Sequence, residues 1–137
     1  MFYPTKDFIL NNPIKHKKET IQAIIAWRNL NKNKPKKYNQ IKQLIHILAK
    51  VYNKPIQVMF VTNSPSSYYD PNSETIYLVN NSIITALHEF AHHLYGSSES
   101  IACRWSIWLF TKAYPEAFQN LVWEGHMLKR KKYNAST

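Results

Sequence analysis

The stretch SETIYLVNNSIITALHEFAHHLYG, residues 73 to 96, changes its period in the middle. Its first part, SETIYLV, is short, β-branched and aromatic, and reads as a strand. Beyond the NNS break, Ile83 to Tyr95 reads as a helix, with Ile84, Leu87, Ala91 and Leu94 available for burial. Asn81 or Ser82 can cap that helix, and Gly96 suits the left-handed position after its end. A strand leading into a capped helix sets the fold class. The same helix carries the densest group of ligand-type side chains in the chain.

Upstream, IQVMFV (56 to 61) is a second apolar run, bounded by Pro55 and NSPSS, and reads as another strand. YYDPNS lies between the two as a turn signal. Earlier still, Lys17 to Leu30 has helical spacing, and NKNKPKK (31 to 37) is a basic connection. Ile41, Leu44, Ile45, Leu48 and Tyr52 form the apolar stripe of a second helix, with His46 beside it as a solvent-facing or structural residue. Downstream, Ser97 or Ser98 can cap SESIACRWSIWLFTKAY, and Pro115 can open a short last helix to about Trp123. In the first of these helices Trp105, Trp108 and Phe110 read as core, and Cys103 as a small buried hydrophobe. Residues 1 to 16 read as irregular, and 129 to 137 as a basic flexible tail. The expectation is one α+β domain over 1–137, mostly helical, with a small antiparallel β-sheet packed on the helix of residues 83 to 95.

A chain of 137 residues with 45% hydrophobic and 14% aromatic residues can bury one modest core and is not disordered by composition. Lys and Arg outnumber Asp and Glu by 18 to 8, a formal charge of +10. Such an excess is carried by proteins that meet polyanions, and equally by plain solvated surfaces. A single cysteine excludes an internal disulfide and a Cys-rich zinc site. MFYPTKDFIL, with Lys6 and Asp7 in its apolar run, does not read as a secretory signal, and no apolar run approaches bilayer length. The default expectation is an intracellular, cytoplasmic protein without a membrane span.

His88 and His92 are four apart, so a helix points both imidazoles at one centre. Two neutral imidazoles and one carboxylate suit Zn²⁺ and leave a fourth position for water. Glu89, one step round the helix, falls beside that position and can act as general base. The third ligand is open among Glu99, Glu116, Glu124 and His126. Glu99 is favoured, because a glycine reversal and a new helix start can carry it back toward the rings. An acidic residue in a first helical turn also has an ordinary role, since it interacts favourably with the helix dipole. His93 points about a quarter-turn away from His92, toward the surface or in support of the ligands. Tyr68, Tyr69 and Tyr95 could donate to an oxyanion, but nine tyrosines single out none of them.

HEFAHH, preceded by SETIYLVNNSIITAL, resembles the HExxH zinc metallopeptidases, the zincins, over roughly residues 56 to 112. The resemblance implies His88 and His92 as zinc ligands and Glu89 as catalytic base. It also implies an edge strand that aligns peptide substrate, here Ile76, Tyr77 and Leu78. Glu99 opens E-S-I-A, similar to the Glu-x-x-Ala of gluzincins, although it stands nearer the motif than is usual there. Against the metzincin pattern, Gly96 and Glu99 each come one residue late. So short a chain is most similar to minimal gluzincins, and to the SprT-like and ImmA-like intracellular proteases. The implied function is a zinc-dependent metalloprotease acting on peptide or protein substrates. The alternative is a zincin-scaffold module without protease activity that binds nucleic acid through KNKPKK (32 to 37) and KRKK (129 to 132).

Overall fold

The computed structural model describes residues 18–35, 37–119, 121–124 and 127–130. The expectations for residues 1 to 16, for the tail beyond 130 and for His126 lie outside them. Helices α1 (Lys18–Leu30) and α2 (Tyr38–Tyr52) come first. Strands β1 (Gln57–Phe60), β2 (Tyr68–Asp70) and β3 (Thr75–Leu78) follow, and then helices α3 (Ile83–Tyr95), α4 (Glu99–Ala113) and α5 (Pro115–Gln119). Strands β4 (Leu121–Glu124) and β5 (Met127–Arg130) close the described chain. The α+β class, mostly helical, is as the periodicities predict.

The sheet departs from expectation in two ways. It has three strands in the order β1-β3-β2, and it is mixed rather than antiparallel. β3 pairs parallel with β1, Val58 opposite Ile76, and antiparallel with β2, Tyr69 opposite Ile76. The chain passes from β1 to the far edge, forms β2, turns through residues 71 to 74 and inserts β3 between its neighbours. The turn is built from Asp70, whose carboxylate accepts from the Asn72 N–H (3.0 Å) and the Ser73 hydroxyl (2.9 Å). Sequence pattern missed β2 because its three residues abut that turn.

β3 is therefore central, and Ile76, Tyr77 and Leu78 are not an edge. Ile76 and Leu78 are fully buried, and Tyr77 lies on the outer face, stacked 4.8 Å from Tyr68. Their backbone is hydrogen-bonded on both sides, so the edge-strand role predicted for them is physically closed. A second correction concerns the end of the chain. α5 stops at Gln119, and Leu121–Glu124 is a strand paired antiparallel with Met127–Arg130, Glu124 opposite Met127. The run Leu-Val-Trp has strand rather than helix preference, and pairing gives its backbone groups partners. Residues 129 and 130 thus belong to β5 rather than to a flexible tail.

α3 lies at the centre of the molecule, against α2, α4, β2 and β3. Its Leu87, Phe90 and Ala91 are fully buried, together with Ile41, Leu44, Ile45 and Leu48 of α2 and Trp105 and Leu109 of α4. Each large side chain so buried contributes on the order of 1.5–3 kcal/mol of transfer free energy. Trp105 and Phe110 are buried as read from the sequence, Trp108 is half-buried with Lys112 Nζ 4.4 Å from its ring, and His46 is exposed. Among the described residues no helix is long and apolar enough to cross a membrane.

Candidate metal centre

Ser82 caps α3 by accepting from the Thr85 N–H at 3.3 Å, which fixes where the helix starts. His88, Glu89, His92 and His93 then follow from the 3.6-residue turn. α3 ends at Gly96, with φ +93° and ψ −158°, a backbone conformation that side chains disfavour. The chain reverses there, and Ser98 caps α4 by accepting from the Ile101 N–H at 3.2 Å. Glu99 is consequently the first residue of α4, and its side chain meets the two histidines.

His88 Nε2 lies 3.2 Å from Glu99 Oε2, and His92 Nε2 lies 2.7 Å from Glu99 Oε1. The three ligand atoms lie within 4.8 Å of one another, so His88, His92 and Glu99 form a group that could hold a metal ion. Among the described residues no other such group occurs. Glu116 is exposed on α5 and outside the group, while the side chain of Glu124 is not described.

The chemistry of the donors fits a cation. His92 Nδ1 lies 2.8 Å from the Gly96 carbonyl, which can only accept, so this nitrogen carries the ring proton. In the neutral ring with that tautomer, Nε2 turns its lone pair toward a carboxylate oxygen at hydrogen-bond distance. Two acceptors do not approach this closely unless a proton or a metal ion lies between them. The His88 spacing matches the roughly 3.3 Å between two ligands of a tetrahedral zinc site. The His92 spacing is about half an ångström shorter, and the 61% exposure of the Glu99 side chain lets the carboxylate adjust. Cys103 Sγ lies 3.8 Å from His88 Nδ1, on the side of the ring away from Glu99. Its thiol is a buried neighbour, pushed up to about 11 by burial and then by the Glu99 charge, so it is not offered as a thiolate.

Glu89 is only 7% exposed, and its Oε2 has no hydrogen-bond partner among the described residues. Burial pushes its carboxyl up to about 7; the Glu99 charge adds to the rise and His92 opposes it. A carboxyl raised toward neutrality beside a group that could hold a metal ion has an acidity compatible with proton transfer.

These groups open into a cleft of about 920 Å³. His88, Glu89, His92 and Glu99 line it, together with Tyr68, Tyr69 and Pro71 of the β2 region. None of Ile76, Tyr77 and Leu78 lines it. The strand that borders the cleft is β2, which the sequence pattern did not separate from its turn. His93, expected at the surface or in support of the ligands, is buried, with Nδ1 2.7 Å from the Tyr69 hydroxyl and Nε2 3.2 Å from the Lys54 carbonyl.

No protein-family model, curated protein or solved structure matches this chain.

Proposed function

We propose that the protein is a zinc-dependent metallopeptidase, with His88, His92 and Glu99 holding the metal and Glu89 as the general base. The observation that carries this reading is the close approach of His92 Nε2 to Glu99 Oε1, with the His92 ring proton occupied at Gly96. Zn²⁺ suits two imidazoles and a carboxylate, and when bound it polarises a carbonyl and lowers the pKa of water toward neutral. Glu89 accepts the proton of the attacking water and passes it to the departing amine. Its buried position keeps the carboxylate out of bulk water, and its helical offset keeps it off the ligand face. The Gly96 carbonyl fixes the orientation of the His92 ring. The open cleft beside β2 gives an extended peptide room to lie across the centre.

The test is Glu89→Gln, which removes the base while keeping shape and ligands. The expected result is parental zinc content with peptide hydrolysis reduced at least about a hundredfold, since general-base loss typically costs about 10²–10⁴. Cleavage that persists in this variant contradicts the mechanism. If no peptide is cleaved by the parent, and salt-sensitive nucleic-acid binding survives Glu89→Gln, the basic surface is the working part instead.

A further inference from the structure

His93 lies four residues after Glu89, on the same face of α3, and both side chains are buried. Its two ring nitrogens have different partners from different parts of the fold. Nε2 is 3.2 Å from the carbonyl of Lys54, in the connection between α2 and β1. A carbonyl only accepts, so the neutral ring is protonated at Nε2 and presents Nδ1 as an acceptor. The Tyr69 hydroxyl donates to that Nδ1 at 2.7 Å, with the two rings edge to face at 5.3 Å. Glu74 Oε2 is also near Nδ1, at 3.9 Å, but its side chain is 65% exposed and beyond hydrogen-bond reach.

Tyr69 is the middle residue of β2, a three-residue strand that, among the described residues, pairs with β3 alone. A strand this short with a single ladder has few backbone bonds to hold it. Yet Tyr68 and Tyr69 line the same cleft as His88, Glu89 and His92. Burial, with the Glu74 and Asp70 charges, raises the Tyr69 hydroxyl above the ordinary tyrosine value, so its proton is retained for donation. That proton is directed at His93.

We propose that His93 is a positioning residue that ties edge strand β2 to the metal-site helix through the Tyr69 hydroxyl and so fixes the cleft wall along which the peptide lies. The proposal rests on the peptidase reading above, and it assigns Tyr69 to the wall rather than to the oxyanion. A wall contacts substrate equally in ground and transition states, so loosening it raises KM and leaves kcat.

Two substitutions separate the tether from a merely structural histidine. Asn at 93 keeps an acceptor near the Nδ1 position and loses the Lys54 contact, whereas Gln keeps a donor near the Nε2 position and loses Tyr69. The zinc-loaded parent, His93→Asn, His93→Gln and Tyr69→Phe are assayed on one blocked peptide, with zinc content and ring ¹⁵N shifts recorded. The expected result is a KM raised on the order of 3- to 10-fold in His93→Gln and Tyr69→Phe, one hydrogen bond's worth, with kcat within about twofold. His93→Asn rescues most of the KM, and zinc content is parental throughout. Equal KM in His93→Asn and His93→Gln, a parental KM in Tyr69→Phe, or a loss confined to kcat overturns the proposal. A parental His93 ring protonated at Nδ1 overturns it as well. A parent that shows the expected tautomer and binds zinc but cleaves no peptide overturns the peptidase reading and leaves the tether standing.

Discussion

His92 Nε2 and Glu99 Oε1 stand 2.7 Å apart across the Gly96 reversal, and Gly96 is also the acceptor of the His92 ring proton at 2.8 Å. The candidate ligand pair and the turn that creates it are thus one piece of structure. Removing the carboxylate leaves two imidazoles facing an incomplete shell. Glu99→Ala is expected to weaken zinc binding by more than about 100-fold, beyond the 10- to 100-fold typical of partners that only support a ligand. Competition with a chromophoric chelator measures this, and unchanged affinity removes Glu99 from the ligands.

Gly96→Ala tests the turn. Open space surrounds the position where a Cβ would stand, so the substitution meets no clash. The backbone carries the cost instead, because φ +93° is disfavoured for alanine. A stability loss of about 1–3 kcal/mol is expected in denaturant titration. Zinc affinity should fall about 10-fold in the same protein, since the carbonyl that orients His92 shifts. Stability loss with parental zinc affinity would separate the turn from the ligand.

Phe90 supports α3 from the opposite side. Fully buried, it packs against Trp105 at 5.7 Å and Tyr52 at 6.2 Å between ring centroids. Phe90→Ala is expected to cost about 3–5 kcal/mol through lost burial and the cavity left behind. Zinc stoichiometry measured well below the unfolding midpoint should be parental, because the ring neighbours of Phe90, Tyr52, His93 and Trp105, are not among the proposed ligands. A loss of zinc in the folded variant would mean that the core itself shapes the site.

What could be read from the residues divides along the range of the forces involved. The bounds of α3 follow from Ser82, the apolar positions and Gly96, all local, and the structure has the helix where they predict it. The convergence of Glu99 on the histidines needed only a short reversal and a second cap at Ser98, so it was legible too. β2 was not, since three residues cannot display a period and Asp70 belongs to strand and turn alike. The parallel pairing of β1 with β3 depends on contacts across about eighteen residues that no local pattern encodes. The misplacement of Ile76, Tyr77 and Leu78 follows directly: the resemblance implies an edge strand there, whereas both sides of β3 are paired. The partners of His93, Lys54 and Tyr69, are likewise beyond local pattern, 39 and 24 residues away.

Chelation links the site to the fold. Zinc bound to the folded chain alone stabilises it by about 4 kcal/mol when free zinc is a thousand times Kd. A chelator is therefore expected to lower the thermal midpoint and abolish hydrolysis, and added Zn²⁺ to restore both. A midpoint indifferent to chelator would place any bound zinc outside the folded structure.

The most direct measurement is elemental analysis of the purified, dialysed protein beside its His88→Ala/His92→Ala variant. The account predicts one zinc per parental chain and none in the folded double variant. A parent without stoichiometric zinc after exposure to the metal, or a double variant that keeps it, would contradict the account at its centre.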